Sequence, residues 1–123
     1  MIKTLYLGDH LRKYLIPAFE RKAESIIAID VKELTSYTDT LIIIEAHSQR
    51  QLAAIAEHII TSLKKIQIYV LGTEGLKGGE WVLLDYGDVV IHIFESDIKS
   101  YYNLEGLWAD APKYDLSGFA KQL

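Results

Sequence analysis

The run "DTLIIIEA" at residues 39–46 limits the possible folds more than any other stretch. Large aliphatic residues fill four consecutive positions between polar ends, too few to cross a bilayer and too apolar for an open surface. Such a run predicts a strand covered on both faces, and "SIIAIDV" at 25–31 predicts another. The cover comes next in the chain. In "HSQRQLAAIAEHIITSLKK", Leu52, Ile55, Ala56, Ile59, Ile60 and Leu63 recur at helical spacing on one face. Ser48 and Gln51 form a capping-box pair at its start, and Lys64 and Lys65 suit the negative end of its dipole.

The remaining elements follow the same rules. "DHLRKYLIPAFERKAE" predicts an amphipathic helix capped by Asp9 and bent or begun at Pro17. "IQIYVLG" at 66–72 reads as a third strand, followed by a glycine-rich loop at 72–79. "EWVLLD" and "DVVIHIF" then pair as a hairpin about Tyr86-Gly87, apolar on both faces and so expected inside a covered sheet. Beyond Ser96, Tyr101, Leu104, Leu107 and Trp108 stand at near-helical spacing before Pro112, which predicts a short helix and then a loosely held tail at 115–123. The whole is one α/β domain of 123 residues, a five-stranded mixed sheet with helices, its core spanning about 10–114.

Composition excludes several functions. Without cysteine there is no disulfide framework, thiolate metal site or Cys nucleophile. A net charge of −4 argues against a surface built for nucleic-acid phosphates, which draws on clustered Lys and Arg. The first 22 residues contain no apolar stretch of secretory type, and no run approaches a membrane span, so a cytoplasmic protein is expected.

Candidate chemistry meets a plain structural reading at each point. Successive glycines can bring backbone N–H groups to a phosphate, but "GTEGLKGGE" lacks the P-loop pattern and leads into a strand, so a loop needing positive φ is expected. Asp85 with Asp88, or Glu95 with Asp97, could hold Mg²⁺; turn chemistry explains the first pair as well. Ser48 could be a nucleophile with His47 or His58 as base, yet it sits at a helix cap and lacks the elbow motif. His47, His58 and His92 lack the local spacing of a metal site, and His10 stands apart. Trp81, Leu83 and Asp85 share one face of their strand, an interface anchor if that face is open and core if it is closed.

Three blocks, "YTDTLIIIEAHSQRQLAAIAEHI", "EGLKGGEWVLLDYGDVVIHIF" and "YYNLEGLW" followed by "DAP", resemble in order and spacing the ribosomal silencing factor, or Iojap-type, family over about residues 10–114. The resemblance implies a nucleotidyltransferase-type fold without catalytic residues or cofactor. It implies a cytoplasmic protein, homodimeric when free, that binds the large ribosomal subunit through its L-fourteen-type protein. Bound there, it would keep the small subunit away and lower translation when nutrients are short, with a further part in subunit assembly. Matching positions make Trp81, Leu83, Asp85, Tyr86 and Gly87 the implied contacts, with Glu74 and Lys77 from the preceding loop. Acidity suits a basic protein partner, and "ESD" at 95–97 lacks the preceding Gly-Ser of the transferase pattern. The chain departs from the family pattern at Thr40, at Ala46-His47 and at Lys99.

Overall fold

The structure is a computed structural model that describes residues 4–97 and 109–120. Its strands are β1 (Thr4–Leu5), β2 (Ser25–Asp30), β3 (Thr40–Ala46), β4 (Gly72–Glu74), β5 (Trp81–Asp85), β6 (Val89–Glu95) and β7 (Lys113–Tyr114). The helices are α1 (Asp9–Glu20), α2 (Gln49–Lys65) and, after β7, a single turn, α3 (Ser117–Ala120). The expected five strands are seven, in the order β1-β7-β2-β3-β6-β5-β4. Two-residue strands such as β1 and β7 carry no periodicity, so no sequence pattern announces them.

Strand β3 is central, antiparallel to β2 and parallel to β6. Its burial on both faces comes from two apolar layers. On one side Ile42, Ile44, Val82, Leu84, Ile91 and Ile93 pack with Leu11 and Leu15 of α1 and Leu52, Ile55, Ile59 and Leu63 of α2. On the other, Ile29, Leu41, Ile43, Val90 and Phe94 form a second cluster, against which Ile27, Trp81 and Leu83 are packed partly buried. Alternation along each strand divides its residues between the layers.

The third expected strand is not one. Residues 66–71 begin instead with the reversal that ends α2: the amide of Ile68 donates to the Leu63 carbonyl at 2.9 Å and that of Gln67 to Lys64 at 2.9 Å. This is a Schellman motif with Gln67 left-handed at φ 64°, where a glycine would have betrayed it in the sequence. The strand comes later, as β4, pairing Glu74 with Leu83 and Gly72 with Asp85 at the end of the sheet.

Gly8, not Asp9, is the N-cap of α1, and it offers no side-chain oxygen; Asp9 lies in the first turn. Pro17 is buried inside the helix, which continues through it to Glu20. Contacts continue to the end of the described residues. β7 pairs with β1 and β2, and Phe119, 2% exposed, stacks on Phe19 with ring centroids 4.6 Å apart. A lone phenylalanine in a polar segment gives no periodic signal of burial. The short helix expected around Tyr101 to Trp108 lies outside the described residues.

Candidate functional site

The hairpin β5–β6 carries the residues in question. Cross-strand pairs on one face are Trp81 with Phe94, Leu83 with His92 and Asp85 with Val90. Val82 and Leu84 point to the helices and are buried, whereas Trp81, Leu83 and Asp85 are half-buried on the other face. β5 is one strand from the sheet's end, flanked there by the three exposed residues of β4. Hence one arm of the hairpin is enclosed, as expected of both, and the other is partly open.

Trp81 is held rather than free to swing. Its indole N–H donates to His92 Nδ1 at 2.9 Å, and its ring lies tilted against Phe94 with centroids 4.8 Å apart. His92 is 7% exposed, and burial lowers its pKa to about 4. The imidazole is therefore neutral at pH 7, its Nδ1 accepts from Trp81, and its proton resides on Nε2. Sequence reading left His92 as a scattered histidine; position 92 opposite 83 in the register is the signal that places it beside Trp81.

Glu74, Trp81 and Leu83 line a shallow surface pocket of about 180 Å³. Asp85 stands on the same face, and its Oδ1 accepts from the Gly87 amide at 2.8 Å, fixing the turn. Gly87 has φ 91°, and its carbonyl accepts from Thr38 Oγ1 at 3.0 Å, so its part is the turn itself. Tyr86 faces the other way. Alternation sends its ring to the helix side, 7% exposed and edge-on to Tyr14 with centroids 5.3 Å apart. Burial first, and then Tyr14, push its hydroxyl up to about 12. The ring so enclosed is part of the helix-side core.

Lys77 lies in the loop between β4 and β5. The Gly78 carbonyl accepts from Gln49 Nε2, and Leu76 lines a surface pocket with Ala53, Glu57 and Ile60 of α2, so both neighbours of Lys77 lie toward the helix. The glycines serve close backbone approach: a Cβ on Gly75 would lie 2.1 Å from the Trp81 carbonyl, and one on Gly79 would lie 2.4 Å from the Gly75 carbonyl. The loop closes on itself without a cradle.

The polar candidates are dispersed. Asp88 Oδ2 is 2.7 Å from His10 Nε2, His58 Nε2 is 2.9 Å from Glu20, and His47 Nδ1 is 3.4 Å from Glu24. Ser48 accepts from the Gln51 amide at 3.1 Å, which is its capping role. Among the described residues no three His, Asp or Glu side chains assemble into a metal-binding group, and no helix is long and apolar enough to cross a membrane.

These features define a class: a one-domain α/β protein presenting a braced aromatic strand face with carboxylates beside it. The chain belongs to the family described as ribosomal silencing factor during starvation, which matches residues 8–122. It is 42% identical over 97 residues to the ribosomal silencing factor RsfS of Bacillus subtilis, covering 79% of this chain and 82% of that one. It is 30% identical over 93 residues to the mouse protein named mitochondrial assembly of ribosomal large subunit protein 1, covering 72% of this chain and 40% of that one. A crystal structure from Bacillus halodurans superposes with a TM-score of 0.77 at 33% identity, covering 88% of this chain and 98% of the other.

Proposed function

We propose that the outer face of β5 docks on the large ribosomal subunit, at its L-fourteen-type protein, and that the bound chain obstructs the small subunit by bulk. Translation then falls when nutrients are limiting. The observation that carries this reading is Trp81, half-buried and locked by His92 and Phe94 beside Leu83, in a family described as ribosomal silencing factor during starvation. A pre-ordered aromatic loses little conformational freedom on binding, which is what an interface anchor requires. The mouse relative's name, with its large-subunit assembly, supports the same subunit as partner. Steric obstruction needs affinity and no chemistry, and we assign the chain no catalytic role.

Free chains pair as homodimers in this reading. It is supported by the exposed end strand β4 and by Leu71 and Tyr69 next to it, 73% and 58% exposed. Light scattering across a concentration series measures this directly; a constant monomer mass counts against it.

The main test is co-sedimentation with purified large subunits, wild type beside Trp81→Ala, with circular dichroism as the check on folding. Binding by wild type and its loss in the folded variant are expected. A folded wild type that stays in the supernatant sinks the reading.

A further inference from the structure

The start of α1 meets the start of β3 in a surface pocket of about 260 Å³. Sites for drug-sized ligands hold roughly 300–1,000 Å³, so this one suits a smaller molecule. Gly8 and His10 line it from the first turn of α1. Gly8 caps that helix without a side-chain oxygen, and the amides of Asp9 and His10 have no partner among the described residues. Thr40 lines the pocket from β3, where alternation turns its side chain to the face of Ile42 and Ile44, toward α1. Thr40 is 4% exposed, and its hydroxyl makes no hydrogen bond among the described residues. Among those residues the Tyr86 hydroxyl alone is fully buried without a partner, so the unpaired Thr40 hydroxyl is reached from the pocket. An enclosed, unpaired hydroxyl beside an uncapped helix start is a place for a ligand oxygen.

Lys32 and Asp39 line the same pocket, and both are exposed. Neither side chain forms an ion pair, with the other or with any described residue. Asp88, the other carboxylate of the lining, is already held by His10 at 2.7 Å, and Asp9 does not line the pocket. The backbone fixes where Asp39 and Thr40 stand, because both amides donate to the Asp88 carbonyl, at 3.1 and 3.0 Å. A cation and an anion that share a pocket without neutralising each other complement a molecule carrying both charges. Leu11 and Tyr114 add an apolar wall beside them.

We propose that this pocket binds a free α-amino acid with an apolar side chain. Its carboxylate meets the open amides of α1, the Lys32 ammonium and the Thr40 hydroxyl, while its ammonium meets Asp39 and its side chain lies on Leu11 and Tyr114. A bare anion would face Asp39 and Asp88 without compensation. A bare cation would face Lys32 and the positive end of the α1 dipole. Thr40 and α1 lie on the helix side of the sheet, opposite the face that carries Trp81, so the site stands independently of docking there.

The test is titration of the full chain with L-leucine, with N-acetyl-L-leucine, which lacks the ammonium, and with L-leucinamide, which lacks the carboxylate, followed by NMR shifts of the backbone amides. L-Leucine is expected to shift Gly8, His10 and Thr40, and each analogue to bind at least about tenfold more weakly. Asp39→Asn and Lys32→Gln are expected to weaken L-leucine binding about fivefold each, and Thr40→Val about threefold, with circular dichroism as the check on folding. An analogue that binds as tightly as L-leucine overturns the proposal in favour of a simple anion or cation site. Wild-type affinity in both folded charge variants overturns it as well. If about 10 mM L-leucine leaves these amides unshifted, there is no such site. No ribosomal subunit is present in the titration, so none of these outcomes bears on docking.

Discussion

Trp81 and His92 act as one unit. Because the indole N–H is satisfied by a neutral imidazole, protonating His92 removes the acceptor and introduces a buried charge. The folded pKa of about 4 lies below the ordinary 6.5, so between those values the unfolded chain binds more protons than the folded one. Stability is therefore full above pH 6.5 and falls as pH drops toward 4, by about 3 kcal/mol over that window. Urea unfolding at pH 7.5 and pH 5 reads about 2 kcal/mol of it; in His92→Gln this part of the pH dependence disappears. Truncating Trp81 to Ala costs about 2 kcal/mol of subunit binding, roughly thirtyfold in Kd. Tyr86 behaves in the opposite manner. Its buried hydroxyl has no hydrogen-bond partner among the described residues, so Tyr86→Phe leaves stability unchanged or raises it by about 1 kcal/mol, with binding unaltered. Thermal melts and co-sedimentation of that variant separate core from contact.

The end of α2 shows why one strand was misplaced. Alternating apolar residues at 66–70 satisfy a strand template, but Ile66 is the helix C-cap and Ile68 closes the reversal over Leu63. Gln67 holds a left-handed conformation that disfavours a side chain. Gln67→Gly is expected to raise stability by about 1 kcal/mol in urea unfolding, the reverse of the usual glycine penalty inside a helix. The β4–β5 loop gives the opposite case. Gly75 has φ 79° and no room for a Cβ beside the Trp81 carbonyl. Gly75→Ala should cost about 2 kcal/mol of stability and weaken subunit binding along with it, because the displaced strand carries Trp81. Paired unfolding and binding curves report both losses.

The sheet is closed from both ends of the chain. β1 and β7, far apart in sequence, pair in parallel, and Phe119 then covers Phe19 under Arg12, whose guanidinium lies 4.8 Å from the Phe119 ring. Phe119→Ala empties a buried position and is expected to lower stability by about 3 kcal/mol, read as a shift of the urea midpoint without change of slope. Had the tail been loose, this variant would be silent. Strong local patterns were legible without a structure: the β2 and β3 runs, the α2 face and its Ser48 cap, and the hairpin turn on Gly87 all follow from spacing and residue type. The distinction among the aromatic residues of the hairpin was not. Period-two alternation divides Trp81 and Leu83 from Tyr86 but cannot say which side the helices cover, and that depends on where α1 and α2 cross the sheet. Likewise Thr38 ties the loop between β2 and β3 to Gly87, a contact across 49 positions. Periodicity acts over a few residues and sets the elements; the partners of Trp81 and the open side of β5 are long-range consequences of packing, which local spacing does not encode.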